Sequence, residues 1–73
     1  MIEQKDIARE ISQLMLDYGA KLDASVALAK QKCSPEEFAM YRKAVGKIMG
    51  YMLSEVMNPI YQRHPDLKPK ELS

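Results

Sequence analysis

The strongest constraint on the fold is a helix-start signal in the middle of the chain. Ser34-Pro35-Glu36-Glu37 places a serine at the N-cap, a proline at the first helical position and a glutamate three residues after the cap. The serine and Glu37 side chains can satisfy free backbone amides at the start of a helix, and the proline has no amide to satisfy. Because proline disfavours helical geometry in the residue before it, an earlier helix must end by about Cys33.

Both halves of the chain carry an amphipathic helix pattern. The first predicted helix covers about residues 2–32 and the second about residues 35–57. Large apolar residues recur at steps of three and four, which is the period of a helix and not of a strand. In the first helix they are Ile7, Ile11, Leu14, Tyr18, Leu22, Val26 and Ala29. In the second they form two neighbouring stripes, which are Phe38, Tyr41, Val45, Ile48, Met52 and Val56, and then Met49, Leu53, Met57 and Ile60.

Prolines interrupt the pattern after the second helix. Asn58 and Pro59 predict either the cap and first position of a short helical turn, about residues 59–63, or a kink. An extended tail is expected over residues 64–73, frayed at Ser73. Three apolar side chains of this region are expected to fold over one end of the molecule, namely Ile60, Tyr61 and Leu67.

Two helices of this length, joined by one or two residues, must fold back on each other as an antiparallel hairpin. With the turn at Cys33 and Ser34, the numbers of facing residues sum to roughly 67. That register predicts a close approach of the two backbones where small residues meet. These are Gly19, Ala20 and Ala24 on the first helix and Gly46 and Gly50 on the second. The expected fold class is all-α, with one helical domain over residues 1–73.

A lone hairpin of 73 residues leaves each helix with a single neighbour. Chains below about 70–80 residues rarely build a sufficient core on their own, and two stripes are wider than one adjacent helix can cover. We therefore expect two hairpins to associate as a homodimer in a four-helix bundle. The expected interface consists of Ile48, Met49, Met52, Leu53, Val56 and Met57. The alternative is that a different protein covers the same surface.

Reactive side chains are few, and the sequence predicts a protein that is not an enzyme. Cys33 and His64 cannot complete a metal site alone, and no cofactor or metal is expected. His64 precedes a proline in the tail, so a surface or capping role is expected rather than catalysis. Cys33 follows the end of a helix, where backbone carbonyl groups disfavour a thiolate nucleophile.

A short basic strip on the second helix gives the main alternative function. Arg42, Lys43 and Lys47 could contact RNA or DNA phosphates, with Tyr51 one turn further on for stacking. The net charge of +1, from 11 Lys and Arg against 10 Asp and Glu, does not favour a dedicated polyanion binder. Nucleic acid is therefore the runner-up partner. A small antitoxin or immunity-type inhibitor of another protein is a third class that the size allows.

The lengths of the apolar runs indicate whether the chain could enter a membrane or be secreted. None approaches the roughly 20 residues needed to cross a bilayer, so no membrane partner is expected. The first six residues turn polar and acidic with no apolar segment behind them, so no secretory signal is expected. With a single cysteine, the chain suits a reducing environment, and a cytoplasmic location is expected.

Overall fold

Two long helical segments packed as an antiparallel hairpin make up the computed structural model, which describes residues 1–72. Helix α1 spans Lys5–Lys32, and helix α2 spans Pro35–Tyr51. A π-helical segment, Met52–Met57, and helix α3, Asn58–Arg63, continue from α2. Two 3-10 turns follow, Pro65–Leu67 and Lys70–Leu72. The predicted all-α class and the two-helix hairpin are confirmed, whereas the fraying expected at Ser73 lies outside the described residues.

The turn of the hairpin forms as its sequence predicts. The Glu37 amide donates to Ser34 Oγ at 3.2 Å, and the Ser34 amide donates to Glu37 Oε1 at 3.1 Å. This reciprocal capping box satisfies two amides that the first turn of α2 would otherwise leave free. On the other side of the turn, the Cys33 amide donates to the carbonyl oxygen of Ala29 at 2.9 Å. The connection between the helices is therefore short, and the amides of Cys33, Ser34 and Glu37 are all hydrogen-bonded.

Contacts between the helices agree with the predicted register. Ser25 Oγ lies 2.7 Å from the Tyr41 hydroxyl oxygen. A Cβ atom at Gly19 would lie 3.8 Å from the terminal methyl carbon of Met49, which is ordinary van der Waals contact. In both pairs the two residue numbers add up to nearly the sum predicted for facing residues.

The predicted close approach at the glycines of α2 is wrong. A Cβ atom at Gly46 or at Gly50 would meet no heavy atom of another element within 4 Å. The residue of α2 that α1 buries is Val45, which is 3% exposed. Since one residue corresponds to a rotation of about 100° around a helix, Gly46 is turned away from the interface that Val45 occupies.

The second helical segment is longer than the sequence predicts. The backbone stays helical through the expected break, with φ −71° and ψ −46° at Met57 and φ −61° and ψ −46° at Asn58. The Asn58 amide bonds to the carbonyl oxygen of Leu53, five residues back, which is the π-helical pattern. Pro59 therefore follows a widened turn and lies in the first turn of α3, and the helix continues to Arg63.

The π-helical segment changes the spacing of the residues of the second helix that face α1. Up to Met52 the residues turned inward follow steps of three and four, and the next buried residue, Met57, comes five residues later. Ile60 and Tyr61 then resume the steps of three and four. Both predicted stripes therefore contribute to the side that faces α1: Met49 of the second stripe is half-buried between Val45 and Met52 of the first, and Val56 of the first packs against the core cluster.

Most of the core lies at the open end of the hairpin, opposite the turn. Ala8, Met57, Ile60 and Tyr61 form a buried cluster there, with Ile60 fully inaccessible to solvent. Partly buried apolar side chains pack around this cluster, namely Ile2, Ile11, Met15, Leu16, Val56 and Leu67. The prediction that Ile60, Tyr61 and Leu67 fold over one end is confirmed.

The two chain ends differ from the sequence expectations. Helix α1 begins at Lys5 and not at residue 2, because Gln4 is extended, with φ −75° and ψ 117°. That extended entry lets Ile2 reach the core cluster. The sequence predicts an extended tail, but over the described residues it forms the two 3-10 turns, the first of which returns Leu67 to the core.

Candidate functional site

One broad side of the hairpin carries large apolar side chains that remain in water. We call this surface the flat face. Its members range from 37% to 58% exposed. They are Ile7, Leu14, Tyr18 and Leu28 from α1, and Tyr41 and Ile48 from α2.

Spacing and contacts place these six side chains on the same side. The α1 members belong to one row of side chains that advances by alternate steps of four and three residues. The row is Ile7, Ile11, Leu14, Tyr18, Lys21, Ser25 and Leu28. The hydroxyl pair of Ser25 and Tyr41 joins this row to α2. Ser25, Leu28 and Tyr41 also line a shallow depression of about 430 Å³. Ile48 lies seven residues after Tyr41, two helical turns along the same side.

The flat face contains one charged residue within its α1 row. The Lys21 ammonium nitrogen lies 5.6 Å from the centre of the Tyr18 ring, within the range of a cation–π contact. The aliphatic stem of Lys21 can therefore lie along the apolar surface while its charge stays in water.

A groove lies on the opposite side of the hairpin. Its volume is about 610 Å³, and it is bounded by α1, the end of α2, the π-helical segment and the tail. Leu16 and Ala20 of its α1 wall are each two residues from a flat-face residue, a rotation of about 200°. Its lining residues are Met15, Leu16, Gly19, Ala20, Asp23, Met49, Met52, Leu53, Met57, Pro69, Glu71 and Leu72.

The six residues predicted for the dimer interface fall into three environments. Met57 is only 6% exposed and belongs to the core, and Val56 packs against the same cluster. Ile48 is half-exposed on the flat face. The other three line the groove, namely Met49, Met52 and Leu53. The structure does not gather the six into one surface, and their place in a dimer interface stays a prediction.

The sequence analysis missed the α1 half of the flat face. The sequence pattern groups Ile7, Leu14 and Tyr18 in one apolar stripe with residues that lie against α2, and it predicts Gly19, Ala20 and Ala24 at the contact between the helices. The row that α1 turns toward α2 is instead Ala8, Ser12, Met15, Gly19, Leu22, Val26 and Ala29, all of them buried or half-buried. An apolar pattern does not identify this row, because Ala8, Ser12 and Gly19 are small or polar residues. Its regular steps of four and three are the signal that could have found it.

The basic strip lies on the solvent side of α2. Arg42, Lys43 and Lys47 are all exposed, as is Tyr51. Arg42 and Lys43 border a small depression with Phe38. No ion pair involves the three basic residues within the part of the chain that the structure describes. Their contact with nucleic acid stays a prediction.

The reactive and titratable side chains are dispersed. Cys33 is exposed at the turn, and across residues 1–72 no three His, Cys, Asp or Glu side chains lie close enough together to hold a metal ion. His64 caps the end of α3, and its Nε2 lies 2.7 Å from the carbonyl oxygen of Ile2. Because a carbonyl oxygen only accepts, Nε2 carries the proton and donates. This bond ties the tail to the N-terminal segment.

An ion pair makes a second tie between the chain ends. Lys5, the first residue of α1, pairs with Asp66 in the 3-10 turn that precedes Lys68. The hydrogen bond from Lys5 lowers the pKa of the Asp66 carboxyl below its usual value. Because the pair is exposed to solvent, its contribution to holding the tail is small.

Comparisons with known proteins add no relationship to this geometry. The chain matches no protein-family model, no curated protein and no solved structure. Within the described residues 1–72, no helix combines the length and the apolar character required to cross a lipid bilayer.

Proposed function

We propose that this protein acts through protein–protein contacts, without catalysis, as a homodimer whose two hairpins pack through their flat faces in a four-helix bundle. The observation that carries the proposal is the flat face itself. Six large apolar side chains from both helices, each more than a third exposed, lie along one side of the chain. Burying such a side chain fully stabilises an association by roughly 1.5–3 kcal/mol.

The size of the flat face suits a stable interface. The molecule measures 44 × 19 × 16 Å, so one broad side approaches the roughly 800 Å² per partner that specific interfaces bury. A second hairpin related by a twofold axis would place the same apolar rows against each other. Each helix would then gain a second neighbour along its exposed apolar row.

The small core of the single chain supports the same proposal. Among residues 1–72, the buried apolar side chains are Ala8, Val45, Met57, Ile60 and Tyr61. Four of the five belong to the cluster at the open end, which leaves Val45 toward the turn. A second copy would supply apolar contacts along the half of the hairpin that has the smaller core.

The non-enzymatic role and a cytoplasmic setting are part of the proposal. The side chains with reactive polar groups make structural contacts instead. Ser12 and Tyr61 hydrogen-bond to each other between the helices, and His64 and Asp66 contact the N-terminal segment from the tail. The free and exposed Cys33 suits a reducing compartment.

The test is the molar mass in solution, measured by light scattering after size exclusion over a series of concentrations. We expect a mass near twice the 8.3 kDa of one chain. We expect Leu14→Glu and Ile48→Glu each to shift the equilibrium toward one chain, because a buried unpaired carboxylate opposes association. Met40→Glu is the matched control, since Met40 is 75% exposed and lies one residue, about 100°, away from Tyr41.

A single-chain mass for the folded wild-type protein at every concentration would contradict the proposal. The same holds if Met40→Glu dissociates the dimer as readily as Leu14→Glu does. Circular dichroism on each variant shows whether its helices persist, and so separates dissociation from unfolding.

A further inference from the structure

The groove opposite the flat face has the chemistry of a docking surface for a helix. Seven of its lining residues are apolar side chains of methionine or leucine, namely Met15, Leu16, Met49, Met52, Leu53, Met57 and Leu72. Leu53 and Leu72 are 38% and 39% exposed, so the surface is accessible. Methionine is flexible and polarisable, which lets such a surface adapt to partner side chains of different shapes.

Backbone hydrogen bonding decides which kind of segment fits. The long walls of the groove are α1 and the end of α2 with the π-helical segment, whose amide and carbonyl groups are paired within their own helical turns. An extended peptide would find no free backbone edge to bond with there. A helix brings its own backbone hydrogen bonds and needs only apolar contacts, so it fits between two antiparallel helices.

The charges of the groove indicate the charge of the partner. Its two charged residues are both acidic, Asp23 on α1 and Glu71 in the tail. Neither carboxylate forms an ion pair with another residue within 1–72. Lysine or arginine side chains beside the apolar stripe of a partner would complement these charges, whereas acidic side chains would be repelled.

We propose that the groove binds an amphipathic helix of a second protein, one that carries basic residues beside its apolar stripe. The groove is built from a single chain and lies away from the flat face, so this inference does not depend on dimerisation. In a dimer joined through the flat faces, each chain would keep its groove open to a partner.

Two synthetic amphipathic peptides of about 18 residues, roughly 27 Å long as helices, provide the probe. They share one leucine stripe and differ only in having lysine or glutamate on the polar side. We expect the leucine–lysine peptide to bind more tightly by roughly tenfold, because two carboxylates attract one peptide and repel the other. Isothermal titration calorimetry at fixed ionic strength measures both affinities.

Matched variants locate the binding. Ala20→Trp fills the groove and is expected to weaken binding of the leucine–lysine peptide by about tenfold or more, whereas Ala39→Trp, at an exposed position of α2 outside the groove, leaves it unchanged. Asp23→Asn is expected to reduce the preference for lysine over glutamate. Asp17→Asn is not, since Asp17 is exposed and does not line the groove.

Methyl NMR signals give a second measurement that needs no variant. On addition of the leucine–lysine peptide, we expect shifts at Met15, Met49 and Met52 and none at Met40, which is exposed elsewhere. The inference is overturned if neither peptide binds, if both bind equally, or if Ala20→Trp has no effect. It is also overturned if Ala20→Trp converts a dimer to single chains, because the groove would then be the site of self-association.

Discussion

Ser12 and Tyr61 show how a single polar pair can fix the packing of two helices. Ser12 is 4% exposed and Tyr61 is 5% exposed, and their hydroxyl oxygens lie 2.5 Å apart. One hydroxyl donates and the other accepts, so each oxygen has a hydrogen-bond partner in a site with little access to water. A buried polar group without a partner is costly, so this bond favours one particular alignment of α1 against α3.

Replacing Tyr61 by phenylalanine is expected to lower the free energy of unfolding by about 1–3 kcal/mol, because the Ser12 hydroxyl stays buried without its partner. Ser12→Ala together with Tyr61→Phe should cost less than the sum of the two single changes, since both polar groups are then absent. Urea unfolding of the four proteins measures the coupling. Tyr51→Phe, at a 67% exposed position, is the control and should change stability by less than about 0.5 kcal/mol. Strict additivity would show that the two hydroxyls do not interact.

The sequence alone does not reveal this pair. Ser12 is a polar residue in a helix, and local pattern places such residues in solvent. Its partner lies 49 residues away along the chain, so only the folded hairpin brings the two together. By contrast, Ser34 and Glu37 are three residues apart, and their mutual hydrogen bonds follow from local spacing alone.

At the scale of the helices, the π-helical segment is the feature that sets the core. One extra residue in a turn shifts the phase of everything after it by about 100°. That shift is what brings Met57, Ile60 and Tyr61 under α1 after Val45 and Met52. The widened turn also lies directly before Pro59, which has no amide to continue the regular α-helical pattern.

Removing one residue from the π-helical segment is therefore expected to be tolerated. We predict that deletion of Ser54, combined with Pro59→Ala, gives a regular α-helix that keeps Met57, Ile60 and Tyr61 facing α1. Deletion of Gly46 in the same Pro59→Ala background rotates these side chains out of the core and should cost more than about 3 kcal/mol. Thermal and urea unfolding followed by circular dichroism compare the two. Equal losses in both deletions would contradict the role assigned to the π-helical segment.

The sequence predicts the existence of both helices better than it predicts their phase. Steps of three and four continue through both stripes of the second helix, so either stripe alone fits a regular α-helix. The residues that face α1 come from both stripes, and their spacing includes a five-residue step between Met52 and Met57. Pro59 predicts a break or a kink because the interior of a regular α-helix does not accommodate proline. In the structure a widened, π-helical turn precedes Pro59, and the backbone stays helical.

At the scale of the whole molecule, buried apolar side chains are distributed unevenly along the hairpin. The buried cluster and both ties between the chain ends lie at the open end. Toward the turn, Leu28 and Tyr41 remain exposed, and Val45 is the buried apolar residue of α2. The length of the chain and the width of its apolar stripes predict that one chain buries too few apolar side chains. They do not show which end of the hairpin has the smaller core.

This distribution predicts that dimerisation protects the turn end more than the open end. Local opening needs less free energy where fewer apolar contacts are buried. Amide hydrogen exchange measured well above and well below the concentration at which the dimer dissociates tests this directly. On dilution, we expect exchange to accelerate by about tenfold or more in residues 22–45, against a smaller change around Ile60 and Tyr61.

The control for this experiment is internal, since both ends of the hairpin are measured in the same sample. The flat-face variant Leu14→Glu should show at high concentration the exchange pattern that the wild-type protein shows when diluted. That result would tie the protection at the turn to the surface formed by Ile7, Leu14, Tyr18, Leu28, Tyr41 and Ile48. Equal acceleration at both ends would mean that the hairpin unfolds as one unit on dissociation, and that the core at the open end cannot persist in a single chain.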